Sequence, residues 1–156
     1  MISYKTISHF RERLQALITF KRGVYANAET EVRQAFARVP IEQVRQNRDM
    51  ILMQDDSIAI KLRLPDYRQR LSRKDGYRLI YLVSLVEERV AFLDIYPKRG
   101  PLQQLDILDD ELLRLLTQYV DEGNRSVQST LHSTLSSAAR TASPLDLGRF
   151  FERQRV

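Results

Sequence analysis

Cysteine is absent from this chain of 156 residues, and histidine occurs only twice. The lack of cysteine excludes disulfide bonds, thiolate nucleophiles and zinc sites with cysteine ligands. The two histidines, His9 and His132, are far apart in the sequence and do not have the spacing of metal ligands. We therefore expect a protein that uses no metal ion and no other cofactor.

Long apolar stretches are also missing. No window approaches the roughly 18 consecutive apolar residues that span a membrane, and the N-terminal sequence MISYKTISHFRER lacks the apolar core of a signal peptide. These absences predict a cytoplasmic protein without a membrane partner. Apolar residues nevertheless make up 43% of the chain, which is enough for one compact domain and an additional segment.

Two N-terminal stretches have the apolar spacing of amphipathic helices. In the first, Ser8 is a candidate cap and Gly23 the expected end. The second follows Asn27 and stops at Pro40, because proline cannot continue a helix. Since each helix would have one apolar face, we expect the two to form an antiparallel hairpin that covers a sheet.

Four further stretches have the composition of β-strands and are separated by turn residues. They are residues 50–53, 58–64, 77–85 and 90–96. The third is nearly all apolar, which is typical of a central strand covered on both faces. The predicted fold class is α+β, with the helical hairpin packed on a small, mostly antiparallel four-stranded sheet, followed by a C-terminal helix and a flexible tail.

The C-terminal helix is predicted from the leucine spacing between Leu105 and Tyr119, with aspartates suited to its positive end and Gly123 as its end. Residues 124–143 are rich in Ser and Thr, which is typical of a linker or a frayed helix. Residues 144–156 have the pattern of a short amphipathic helix. We therefore place a domain at residues 1–122 and an extension, flexible or partly helical, at residues 123–156.

Positive charge is concentrated in and between the second and third predicted strands. Residues 61–78 include seven cations and two acids, so their charge of +5 equals the formal net charge of the whole chain. The cations are Lys61, Arg63, Arg68, Arg70, Arg73, Lys74 and Arg78. Such a concentration favours a polyanion as partner.

Strand alternation places several of these charges on one face of the sheet. Because side chains alternate with period two, Lys61 and Arg63 share a face opposite the core. Arg78 on an antiparallel neighbour would join them, and Lys98 and Arg99 follow the next strand. Cations held together repel each other unless an anion such as phosphate lies between them. RNA is the ligand that we expect.

Loop residues would extend this basic face along an RNA backbone, and aromatic rings would stack on unpaired bases. The loop cations are Arg68, Arg70, Arg73 and Lys74, and the candidate rings are Tyr67, Tyr77 and Tyr96. Each cation also has an ordinary structural alternative. Arg78 could pair with a buried acid such as Asp94. Lys98 and Arg99 could both belong to a solvated turn.

A basic site of this kind suits the cleavage of RNA. The 2′-hydroxyl group of RNA is itself the nucleophile, so the protein needs to orient it, help remove its proton and stabilise the developing phosphorane charge. Arginines serve the last role. Lys61 is a candidate proton acceptor, because like charge around a lysine favours the neutral amine. The pattern therefore predicts an endoribonuclease that needs no metal.

The same residues lie in an order that resembles a known family. The sequence reads K-x-R-x-P, then a polar loop, then G-Y-R with two hydrophobic residues and Y, then I-Y-x-K-R. The matching residues are Lys61–Arg63, Gly76–Tyr81 and Ile95–Arg99. This order, within about residues 1–120, resembles the RelE/ParE superfamily of bacterial type II toxins, and it implies two helices packed on about four strands.

The resemblance to the RNA-cleaving branch of that family implies catalytic roles for Lys61, Arg63, Arg78 and Arg99. The best-known members have a tyrosine at the position of Leu105, so the proton relay of this chain would fall to Tyr96 or Tyr81. A second alignment would assign the first two roles to Arg68 and Arg70. We prefer the first alignment, because its basic residues lie in a strand.

The resemblance also implies a function. It is that of a toxin in a type II toxin–antitoxin system, an endoribonuclease that cleaves mRNA, free or on the ribosome, arrests growth and is inhibited by a cognate antitoxin protein. One alternative is a ParE-like toxin that inhibits DNA gyrase without cleaving anything. Another is a member of the fold that binds RNA or a protein without catalysis. The full set of cations favours the nuclease.

Overall fold

The computed structural model describes residues 2–46, 50–54 and 56–136, and this part of the chain forms one five-stranded sheet with helices on it. The strands are β1 (Ser3–Thr6), β2 (Met50–Gln54), β3 (Ser57–Leu64), β4 (Tyr77–Ser84) and β5 (Arg89–Pro97). The helices are α1 (Ser8–Ile18), α2 (Ala28–Phe36), α3 (Ile41–Gln46) and α4 (Asp109–Ser136). The predicted α+β class is confirmed.

The sheet has the strand order β1-β5-β4-β3-β2. The four predicted strands pair with one another in antiparallel fashion, and β4 is central and largely buried on both faces, as its apolar sequence predicts. Strand β1 was not predicted and pairs in parallel with β5. It has four residues, of which Tyr4 alone is buried, so its sequence carries too little alternation to indicate a strand.

Helices α1 and α2 cover one face of the sheet, as the predicted hairpin requires. Aromatic rings form the contact: Phe10 of α1 stacks on Phe92 with 5.4 Å between ring centroids, and Phe36 of α2 meets Tyr81 edge to face at 5.2 Å. Edge-to-face and offset pairs of this kind stabilise a core beyond their buried area. The aromatic cluster therefore fixes both helices on β4 and β5.

The predicted start of the first helix differs from the structure by one residue, and its predicted end differs by several. Ser8 is the first residue of α1 and does not cap it; its backbone N–H and its hydroxyl group donate to the carboxylate of Glu122 on α4. Helix α1 ends at Ile18, and Gly23 belongs to a separate 3-10 turn, Lys21–Gly23, with a φ of +62°. The cap is thus supplied by a residue distant in sequence, which a local pattern does not reveal.

Helix α4 does not end at Gly123 as predicted, but continues to Ser136. The predicted boundary at residues 122 and 123 therefore falls inside a continuous helix. Residues 124–136 are helical, whereas the sequence predicted either a linker or a frayed helix for them. Residues 137–156, with the predicted flexible tail and short terminal helix, lie outside the described residues. Within the described ranges, no helix has the length and apolar character to cross a bilayer.

Two glycines give a matched test of this fold. A Cβ at Gly76 would collide with the backbone carbonyl of Leu64 and lie 2.8 Å from the carbonyl carbon of Pro65, whereas a Cβ at Gly123 meets nothing within 4 Å. We expect Gly76→Ala to lower the free energy of unfolding by about 1–3 kcal/mol, and Gly123→Ala to raise it by about 0.5–1 kcal/mol. Urea unfolding followed by circular dichroism measures both, and equal midpoints would contradict the described close approach.

Candidate anion-binding site

The register of the sheet brings three predicted cations to one face. Arg63 of β3 lies opposite Arg78 of β4, which lies opposite Tyr96 of β5. Lys61 lies opposite Ile80 in the same register. Because paired residues of antiparallel strands point to the same side, these side chains share the face opposite the helical hairpin. The predicted basic face is present.

A cleft of about 460 Å³ opens at this end of the sheet. Five cations line it, and they come from β3, from the loop before β4, from β4 itself and from the turn after β5. They are Arg63, Lys74, Arg78, Lys98 and Arg99. Among the described residues of the lining, Asp75 is the one acid. The cleft therefore has an excess of four positive charges, which suits a phosphate or a polyanion backbone.

Arg78 is the buried cation of the cleft, with 6% of its surface exposed. Its guanidinium group donates hydrogen bonds to the backbone carbonyls of Arg73 at 3.0 Å and Lys74 at 2.8 Å. A guanidinium group has five donors in a fixed plane. Arg78 therefore holds the loop before β4 in place while it contributes a fixed positive charge to the cleft wall.

The alternative partner suggested for Arg78, Asp94, has other contacts. Its Oδ1 lies 3.1 Å from His9 Nε2 and 3.3 Å from Arg13 Nε, and it accepts a hydrogen bond from the Ile95 backbone N–H at 2.8 Å. His9, Asp94 and Glu111 have ligand-type atoms within 4.8 Å of one another. Because the Arg13 guanidinium already neutralises Asp94, an ion pair accounts for this buried carboxylate.

Two acids partly neutralise the cations around the cleft. Asp75 Oδ1 accepts hydrogen bonds from the Arg99 guanidinium at 2.8 and 3.1 Å. Asp106 Oδ1 lies between two lysines, 3.5 Å from Lys61 Nζ and 3.6 Å from Lys98 Nζ. Lys61, followed by Lys98, lowers the pKa of Asp106. Lys61 is thus connected to the cleft residue Lys98 through Asp106, and its surroundings are not made of cations alone.

The loop cations predicted to bind RNA do not all line the same cavity. Lys74 lines the cleft, whereas Arg73 lines a separate cavity next to Arg63. The Arg68 guanidinium lies against the turn at Gly23, where a Cβ would be 3.4 Å from its Nη2. Arg70 is an exposed turn residue with a left-handed φ of 56°. Arg68 therefore lies toward the turn at Gly23, and a continuous basic path through these loop cations stays a prediction.

Tyr96 cannot stack on a base in this structure, because its side chain is buried. Its hydroxyl oxygen accepts a hydrogen bond from the Ile107 backbone N–H at 3.3 Å, and burial raises its pKa to about 12. Tyr77 is also buried and donates to Asn27 Oδ1. Tyr81 donates to the Val44 carbonyl under the helices, away from the cleft. Tyr67, with 69% exposure, is the one candidate ring that solvent reaches.

Two other lining residues, Gln103 and Gln104, were missed by the sequence analysis. After Gly100, whose φ is +93°, the chain folds back, and the backbone N–H of Gln104 donates to the Pro97 carbonyl at 2.9 Å. This turn places Gln103, Gln104 and Leu105 in the cleft wall, and Leu105 is 89% exposed. The glycine after Lys98 and Arg99 was the available signal for a turn that carries site residues.

Comparisons of the chain with protein-family models, with curated proteins and with solved structures give no match.

Removal of the carboxylate between the two lysines should strengthen anion binding. We expect Asp106→Asn to bind a single-stranded RNA oligonucleotide about two- to fivefold more tightly, since exposed ion pairs contribute up to about 1 kcal/mol. Asp110→Asn changes the net charge equally at an exposed position on α4 and is the control. Fluorescence anisotropy at low salt measures both, and an equal gain for the two variants would show an effect of net charge only.

Proposed function

We propose that this protein binds single-stranded RNA with a backbone phosphate in the cleft and cleaves it without a metal ion. The observation that carries the proposal is the convergence of five cations from four segments of the chain, with one carboxylate among them. Such an excess of like charge on fixed elements destabilises the free protein unless an anion neutralises it. A phosphodiester group of RNA supplies such an anion, and the adjacent 2′-hydroxyl group supplies a nucleophile.

The chemistry that the cleft supports is stabilisation of charge. When the 2′-oxygen attacks phosphorus, the equatorial oxygens gain negative charge, and cationic donors already in position stabilise it without reorganisation. Arg78 is immobilised by the carbonyls of Arg73 and Lys74, which makes it a preorganised donor. Arg99 and Lys98 extend from a turn, and in this proposal they close on the phosphate after leaving Asp75 and Asp106.

Proton transfer is assigned to Lys61 together with Asp106. Lys61 Nζ lies 3.5 Å from Asp106 Oδ1. In this proposal the Asp106 carboxylate accepts the proton of the 2′-hydroxyl group as the 2′-oxygen bonds to phosphorus, and the Lys61 ammonium donates a proton to the 5′-oxygen as the bond between phosphorus and that oxygen breaks. The proton on Asp106 then returns to the neutral Lys61 amine. Arg63 completes the site from the neighbouring position of β3. Leu105, exposed in the cleft wall, provides an apolar contact at the position where the resemblance implies a tyrosine.

The resemblance of the motifs around Arg63, Arg78 and Arg99 to the RelE branch of bacterial toxins supports a biological setting. In this proposal the protein is the toxin of a type II toxin–antitoxin system that acts in the cytoplasm on mRNA, free or on the ribosome. Growth arrest follows from mRNA cleavage. A cognate antitoxin protein would be needed to protect the host, and acidic side chains in it would neutralise the cleft.

A second candidate function is RNA binding without cleavage, and one observation favours it. Among the described residues that line the cleft there is no histidine and no tyrosine, and Leu105 contributes no proton donor. A protein of this kind would hold RNA through its phosphates and lose affinity steeply with salt. Both candidate functions use the cleft, and they differ in whether the bound RNA is cleaved.

Inducible expression in bacteria separates these candidates. We expect the unaltered protein to arrest growth and to fragment mRNA, and Arg99→Ala to lower the cleavage rate about 10²-fold because a charge-stabilising donor is lost. Arg99 is exposed, so the variant should fold normally. Arg114→Ala is the matched control, since Arg114 is an exposed arginine of α4 paired with Glu111 outside the cleft.

Purified protein gives the second measurement. Cleavage of mRNA that persists in EDTA agrees with the proposal, and cleavage that stops in EDTA contradicts it. Growth arrest with intact mRNA would contradict the nuclease, whereas absent arrest with salt-dependent RNA binding would establish the second candidate.

A further inference from the structure

A second cavity lies beside the cleft, between helices α2 and α3 and the C-terminal half of β3. Its volume is about 270 Å³. Arg63 belongs to the walls of both cavities, so the two are neighbours. The cavity is smaller than the ~300–1,000 Å³ of a site for a drug-sized molecule, and it suits a group the size of one nucleobase.

Glu31 of α2 lies in the wall of this second cavity and is only 4% exposed. Burial raises the pKa of this carboxyl group. A buried carboxylate normally has several hydrogen-bond donors. Within the described part of the chain, Glu31 accepts one long bond, from the Tyr67 backbone N–H to Oε2 at 3.4 Å. Most of its acceptor capacity is therefore left for a ligand.

Three other side chains give this cavity the features of a base-binding site. Gln34 and Gln43 carry amide groups, which both donate and accept hydrogen bonds. Tyr67 belongs to the same wall and its side chain is exposed, so its ring is accessible for stacking on a base. Base recognition in single-stranded RNA combines these elements, which are an aromatic platform and hydrogen bonds to the base edge.

We propose that this cavity is a base subsite, and that it selects guanine from a nucleotide next to the phosphate in the cleft; this inference rests on the proposed RNA binding. A carboxylate only accepts hydrogen bonds. Guanine is the base whose Watson–Crick edge has two adjacent donors, N1–H and the N2 amino group, which one carboxylate accepts together. Adenine and cytosine have a ring-nitrogen acceptor beside their amino group, and uracil has one N–H between two carbonyls.

The shared wall at Arg63 explains why the two sites would act on one ligand. A nucleotide places its phosphate and its base a few ångströms apart, and Arg63 lies where the sugar between them would cross from one cavity to the other. Glutamine amides at positions 34 and 43 would donate to the guanine O6 carbonyl. Phosphate binding then positions the RNA, and the base contact adds the sequence preference.

Binding of labelled nonamers of uridine, with a single central guanine, adenine, cytosine or uracil, tests this subsite on the full chain. We expect the guanine oligonucleotide to bind roughly five- to 150-fold more tightly than the others, which is the discrimination of one bidentate contact. Glu31→Gln keeps the side-chain volume but replaces one acceptor by a donor, and should remove this preference while affinity for the all-uridine nonamer stays within about twofold. Glu29→Gln, on the same helix and outside the cavity wall, is the matched control.

The outcomes separate this inference from the function on which it rests. Equal binding of all four nonamers by the unaltered protein overturns the guanine subsite and leaves the RNA proposal standing. No binding of any nonamer overturns both. An equal loss of affinity for all four nonamers in Glu31→Gln shows that Glu31 is only structural and also overturns the subsite. If that variant fails to fold, Gln34→Leu replaces it, with the same expected loss of preference.

Discussion

The arrangement of the cleft depends on a buried guanidinium group that binds backbone carbonyls. Arg78 enters from the central strand, and its hydrogen bonds to the carbonyls of Arg73 and Lys74 fix the loop that leads into that strand. Hydrogen bonds to a charged group contribute about 1.5–3 kcal/mol each, which offsets the cost of burying the cation. The loop in turn presents Lys74 and Asp75 to the cleft. One side chain therefore contributes a positive charge to the site and also fixes the loop that forms part of its wall.

The acids beside the cleft offset part of its positive charge. A site with uncompensated positive charge would weaken the folded protein. Asp75 and Asp106 hold Arg99, Lys61 and Lys98 by contacts that are partly exposed and therefore weak. Such partners stabilise the cleft, and in the proposed function they yield to a phosphate, which offers more acceptors.

Local patterns predicted those parts of the fold that local forces decide. Strand alternation correctly placed Lys61, Arg63 and Arg78 on one face, because side-chain direction follows from backbone geometry alone. It did not predict that Asp106 lies between two lysines, since that contact depends on how the chain folds back after residue 100. The sequence analysis did not single out Glu31, because its burial depends on contact with residues far away in the sequence, at the end of β3 and in the loop that follows.

The hydrogen bonds from Ser8 to the carboxylate of Glu122 have a consequence for the order of folding. The two residues are 114 positions apart, and the free amide at the start of α1 is satisfied only when α4 has docked. Contacts of such separation close late, because the entropy of a long loop must be lost first. The start of α1 would therefore reach its native hydrogen bonds later than the contacts of β1 and α1 with β5. Ser8 precedes α4 in the chain but reaches its native hydrogen bonds only after α4 has formed.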